Sequence, residues 1–164
     1  MSYAALRTSL LAARDARQAL LDALFPAAHP ALLMLSLNLP GDEKGGGPAE
    51  LLFAWGEAAL RAALPVLLLQ HGRDALGPFA LFRSESSARQ LKPLAIALES
   101  GHPAGRLLDI DVYDACGRPV DRASLGLAPR PCLVCPEAAV ACIHARRHSY
   151  HELQARVQQI IEAL

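Results

Sequence analysis

The feature that most restricts how this chain folds is the alternation that runs through residues 107–113. Leu108, Ile110 and Val112 are apolar, with Asp109 and Asp111 between them. A pattern with a period of two over this length specifies a half-buried strand. Strand side chains repeat every second residue, so both aspartates leave one face, close enough to share one cation. Like charges on one face repel, and the pair is unfavourable unless a metal ion, Arg106 or another cation neutralises it. The plainer alternative is a solvated strand end with Arg106 as counter-ion. A Gly/Pro-punctuated turn, HPAG at 102–105, delivers the chain into this strand.

A strand buried on one face needs neighbours, and the preceding residues supply them. Residues 2–25 place Leu6, Leu10, Ala13, Arg17, Leu20, Leu21 and Leu24 at helical spacing, and Pro26 ends the pattern. Arg14, Asp15 and Arg17 on this helix read as a solvated, paired face. Residues 31–39 form a buried strand. From Ala49 the chain is helical for about four turns, with Trp55 at the edge of its packing stripe. Strands at 65–70 and 79–83 make a hairpin around a loop at 71–78. Residues 86–100 are helical, with Pro93 opening or kinking the helix. The order β-α-β-β-α-β is that of a ferredoxin-like plait, an α+β fold, here with an added N-terminal helix and a C-terminal Cys-rich loop plus helix. We expect one domain over 1–164: an N-terminal helix (1–26), an α/β core (31–122), and a Cys/Arg-rich tail with the C-terminal helix (123–164).

With 164 residues the chain can bury a single sizeable core. Sixteen cationic and sixteen anionic side chains cancel, so no global field points to nucleic acid or an acidic partner. Apolar runs such as ALLMLSLNL are too short for a membrane span, and arginines interrupt the first helix, so a cytoplasmic protein is expected. Fourteen of the cations are arginine, which draws attention to Lys44 and Lys92. Lys44 lies in the glycine-rich stretch PGDEKGGGP, a loop that either wraps an anion or is simply a loop. Lys92 and Glu99, seven apart, share a helix face that points toward the Asp109 strand. Neither a P-loop nor a GxGxxG fingerprint occurs.

The last third is broken by prolines and carries Cys132, Cys135, Cys142 and His148. Their number and type suit a closed tetrahedral zinc site. The alternatives are buried thiols, or a disulfide within the CxxC pair. Cys142 and His148 are six apart, a little under two helical turns, so they need an irregularity between them to converge. Cys116 lies outside this spacing. Residues 115–149 hold a local excess of three positive charges beside the aspartates. An acidic metal pair next to a cationic loop suits transfer of a phosphorylated group.

The string LKPLAIALESGHPAGRLLDIDVYD (91–114), followed by GRPVDRASLGLAPRPCLVCPEAAVACIHARRH (117–148), resembles the CitX family. That family comprises apo-citrate lyase phosphoribosyl-dephospho-coenzyme A transferases. The likeness extends to NLPGDEK (38–44) and RDARQ (14–18). It implies transfer of 2'-(5''-triphosphoribosyl)-3'-dephospho-coenzyme A to a serine of the acyl-carrier (gamma) subunit of apo-citrate lyase, with release of pyrophosphate. On this resemblance, Asp109 and Asp111 bind magnesium while Lys44, Lys92, Arg106, Arg122 and Arg130 hold phosphate oxygens. Arg14, Arg17, Asn38 and Gly41 also match its motifs, as do the four zinc-type residues. Glu99 or His102 would orient or deprotonate the serine. Asp121, where the family usually has Ser, and Ile143-His144, where it usually has Ala-Arg, depart from the pattern. Two rival classes are a different metal-dependent nucleotidyltransferase or phosphohydrolase using the same aspartates, and a zinc-stabilised RNA- or protein-binding module. Against the latter, no strand carries the aromatic pair of an RNA-binding sheet.

Overall fold

A computed structural model describes residues 3–41 and 44–164. The chain runs α1 (Tyr3–Asp22), β1 (Ala31–Leu37), α2 (Gly47–Ala63), β2 (Leu67–Asp74), β3 (Gly77–Ser84), α3 (Ala88–Gly101), a 3₁₀ turn (Pro103–Leu107), β4 (Leu108–Asp114), a second short 3₁₀ turn (Ala123–Leu125), α4 (Ala139–His144) and α5 (Tyr150–Glu162). The strands form one antiparallel sheet in the order β2-β3-β1-β4. Mixed helices and an antiparallel four-stranded sheet make this an α+β protein.

Helix ends follow local chemistry. Pro48 stands in the first turn of α2, where its missing N–H leaves no partner wanting. At the start of α3, the Gln90 Oε1 accepts from both the N–H and the hydroxyl of Ser87, so Pro93 lies inside the helix instead of opening it. Ser149 and Glu152 form the equivalent reciprocal cap on α5. The expected loop at 71–78 is mostly strand: β2 runs to Asp74 and β3 begins at Gly77. As an outer strand β2 is largely exposed, so its pairing with β3, not its own hydrophobicity, makes it a strand.

The two sheet faces are covered differently. Leu33, Leu35, Phe82, Ile110 and Val112 pack with α2, α3 and the Val157–Ile160 side of α5 in the main core. On the opposite face Met34, Phe79 and Leu81 gather beneath Leu21 of α1 in a smaller cluster, with Tyr113 at its rim. Asp109 and Asp111 share parity with Tyr113, so they lie on the α1 face. Burial along β4 alternates as the sequence requires, with Leu108, Ile110 and Val112 buried and the aspartates partly exposed.

The HPAG turn owes its shape to Gly105. A β-carbon there would stand 2.2 Å from the Leu98 carbonyl oxygen, a backbone contact that cannot yield, so only glycine lets the turn fold back on α3. That close approach fixes where β4 begins.

Candidate active site

In the register of β4 against β1, Asp109 lies opposite Ser36 and Asp111 opposite Met34. Both aspartates line a cavity of about 420 Å³ whose other walls include Arg14 and Arg17 from α1, Ser36, Asn38 and Lys44. The fold thus draws residues from the N-terminal helix, the loop after β1 and the strand β4 into one cleft. Burial first, and the Asp109 charge second, push the Asp111 carboxyl up to about 6, against the opposing pull of Lys92 and Arg130. Asp109 is about half exposed and lies 3.4 Å from the Arg130 guanidinium. An acidic pair held together against its own repulsion could supply oxygen donors to a hard divalent cation.

The cations around this pair divide into two kinds. Arg17 is buried; its Nε and Nη2 both donate to Asp74 at 2.7 Å, Nη2 also donates to the Gly77 carbonyl, and the guanidinium covers the Phe79 ring. It therefore clamps α1 to the β2–β3 hairpin. Arg14, one turn earlier, is exposed at the cavity's edge. Lys44 donates to the Leu39 carbonyl and lines the same cavity as the aspartates. The Asn38 N–H donates to Leu107, tying the loop to the start of β4 and leaving its side chain exposed. Gly41 adopts a left-handed φ of 82° with the Tyr150 ring stacked where a β-carbon would stand, so its part is to let α5 close on the loop.

Two further expected site residues serve the other edge of β4. Lys92, expected at phosphate, is buried and donates from Nζ to the Ile110 carbonyl at 2.8 Å. Glu99, expected near the serine, is also buried; it accepts from the Ile110 N–H at 3.1 Å and pairs with Arg130 at 2.6 Å and Arg122 at 3.3 Å. With both oxygens occupied, Glu99 anchors the strand edge. Further along, the Val120 N–H donates to Val112 and the Asp114 N–H to Arg118, and Arg130 donates to Leu108. An outer strand with backbone groups of Leu108, Ile110, Val112 and Asp114 engaged this way is protected from adding a neighbour.

Arg106, Arg122 and Arg130 line a second cavity of about 340 Å³, together with Glu99, His102 and Arg156. Burial, and then Arg130, hold Arg106 below its usual pKa, and its Nε donates to the Pro131 carbonyl. His102 packs on Trp55 with ring centroids 4.9 Å apart, and its Nδ1 accepts from the Ala104 N–H, which braces the HPAG turn. Asp121, the departure beside Arg122, instead accepts from the Ser124 N–H at 2.8 Å. Neither Glu99 nor His102 lines the cavity that holds the aspartates.

Cys132, Cys135, Cys142 and His148 converge. One ligand atom from each lies within 4.8 Å of all the others; Cys135 Sγ stands 3.4 Å from Cys142 Sγ and 3.3 Å from His148 Nε2. Sulfur ligands of a tetrahedral zinc stand about 3.8 Å apart, so the group could hold such an ion. The irregularity that spacing demanded is Arg146, a non-glycine residue at φ 46° between α4 and α5, which turns His148 back toward the thiols. Burial raises the Cys132 thiol, but the backbone N–H groups of Val134 and Cys135 and the neighbouring thiols outweigh it and bring it down to about 7. Burial, then Cys135 and Cys132, push Cys142 up to about 12.

The family model described as apo-citrate lyase phosphoribosyl-dephospho-CoA transferase, CitX, matches residues 6–164. The chain belongs to the CitX family. Proteins of that name from Escherichia coli O1:K1 and Escherichia coli O139:H28 are 32% and 33% identical to it, over 93% of this chain and 86% of theirs. The family match spans the residues that line both cavities and the cysteine group. Arg156 joins the second cavity without having been singled out in the sequence, and Trp55, expected only at a packing edge, braces its His102. A lone arginine on an amphipathic C-terminal helix carries no local signal, and only packing of α5 against the 103–107 turn brings it there.

Proposed function

We propose that this protein transfers the triphosphoribosyl-dephospho-coenzyme A precursor to a serine of the citrate lyase acyl-carrier subunit. The serine oxygen bonds to the α-phosphorus of the 5''-triphosphate, the bond from that phosphorus to the leaving oxygen breaks, pyrophosphate departs, and the hydroxyl proton passes to solvent. The observation that carries this reading is the joining of Asp109 and Asp111 with Arg14 and Lys44 in one cavity, in a chain of this family. Magnesium, held by Asp109 and Asp111, would neutralise charge on the triphosphate. Arg14 and Lys44 then bind non-bridging oxygens, Arg130 reaches the pair from the strand edge, and Arg17 positions α1. Lys92, Glu99 and His102 act as positioning residues that keep β4 and its turn in place.

The sheet order and the β-α-β-β-α-β sequence support a ferredoxin-like plait as the core, in a single domain closed by the cysteine-rich tail. Zinc on Cys132, Cys135, Cys142 and His148 would order that tail and so place Arg130. Among the described residues no helix is long and apolar enough to cross a membrane, in keeping with a cytoplasmic enzyme whose partner is a carrier protein and not nucleic acid. Release of pyrophosphate that requires both magnesium and the carrier subunit tests the reading; release without carrier would identify a hydrolase instead.

A further inference from the structure

On the family resemblance Lys44, Arg106, Arg122 and Arg130 all hold phosphate oxygens, but the fold separates them into two places. Asp109, Asp111, Arg14 and Lys44 line the cavity on the α1 face. Arg106, Arg122, Arg130 and Arg156 line the other, in which Glu99 is the one carboxylate among the described residues. Arg130 stands between them, 2.6 Å from Glu99 and 3.4 Å from Asp109.

Four guanidinium groups around a single buried carboxylate repel one another as the two aspartates do, with the sign reversed. Glu99 already has two of them, Arg122 and Arg130. Arg106 gives its Nε to the Pro131 carbonyl, and the Arg156 Nη1 has only a 3.5 Å contact with Gln159. Planar forks left with unused donors in a concave site suit a diphosphate, whose oxygens accept them pairwise.

This cavity opens into a larger apolar one of about 650 Å³ that shares Arg106, Arg130, Cys132 and Leu133 and continues along Ala139, Ile143 and Leu153. A charged niche joined to an apolar trough fits a diphosphate carrying an extended, mostly neutral arm. The precursor contains that combination apart from its triphosphate, in its dephospho-coenzyme A half. We propose that the arginine cavity is a second anion site that takes the diphosphate of the dephospho-coenzyme A half, with the pantetheine arm in the adjoining trough. This rests on the transferase reading above. It makes binding of that half independent of magnesium.

Titration calorimetry of the full chain with 3'-dephospho-coenzyme A, in buffer without magnesium, tests it. Wild type should bind; Arg156→Ala, at an exposed position that leaves the fold alone, and Arg106→Ala should each weaken binding about tenfold or more. Binding unchanged by both arginine substitutions, or absent from wild type, would overturn the second site. A parallel assay with the whole precursor and carrier separates the two ideas. Transfer by wild type with failed binding predictions leaves the transferase reading and removes the site; arginine-dependent binding without transfer does the reverse.

Discussion

Replacing Asp111 by asparagine should stabilise the folded protein at neutral pH while ending transfer. In the fold its carboxyl rises from 3.8 to about 6, through burial and then the Asp109 charge. Each pKa unit corresponds to about 1.36 kcal/mol, so ionised Asp111 destabilises the native state by about 3 kcal/mol at pH 7. The sign follows from proton binding. Between about pH 4 and 6 the native state holds this proton more tightly than the unfolded chain, so stability is full below the unfolded value and is lost as pH rises through about 6. Asparagine cannot ionise. Urea unfolding without magnesium, at a series of pH values from 4 to 8, should therefore show the two proteins alike near pH 4 and the variant more stable by about 3 kcal/mol near pH 8. In a thermal melt that gap corresponds to a shift on the order of 10 °C. Magnesium should then raise the melting temperature of wild type and not of Asp111→Asn, since only the native acidic pair binds the ion. A stability difference that does not change with pH, or a variant less stable than wild type near pH 8, would refute the claim that repulsion and burial are stored at this pair.

Lys44→Ala should weaken precursor binding about tenfold, with little change in melting temperature because the loop adds almost nothing to the core; unchanged affinity would return the loop to a connecting role. The α1 arginines should part company. Arg17→Ala, which breaks a buried fork on Asp74, should lower stability by about 3 kcal/mol in denaturant unfolding, whereas Arg14→Ala should leave stability unchanged and reduce transfer. Elemental analysis of protein purified without chelator should find about one zinc per chain, and Cys142→Ala should lose the metal, stability and activity together. Zinc below about one-tenth of an ion per chain would leave these residues as buried thiols.

Much of this was legible because each signal was local. The period of two at Asp109 and Asp111 settles the strand and its polar face from the residues alone, and β4 is buried in that alternation. Likewise CxxC with a third cysteine and a histidine announces convergence, though not the left-handed turn at Arg146 that achieves it. What sequence could not convey was which helix covers which face. Arg17 looked like part of a solvated face because its partner, Asp74, lies far along the chain, whereas Arg14 is exposed as expected and only the fold sets it at the edge of the aspartates' cavity. The seven-residue spacing of Lys92 and Glu99 correctly aimed both at β4, but not at its backbone, where an outer strand's unpaired groups demand partners. The polar stretch at 71–78 hid a strand for a related reason: an exposed edge needs no apolar period.

The most direct test of the central claim is the intact mass of the citrate lyase acyl-carrier subunit after incubation with this protein, the triphosphoribosyl-dephospho-coenzyme A precursor and magnesium. The carrier should gain one phosphoribosyl-dephospho-coenzyme A group, lost on Ser→Ala substitution of the acceptor and absent with Asp109→Asn. A carrier of unchanged mass beside consumed precursor, or full modification by Asp109→Asn and Asp111→Asn, would contradict it.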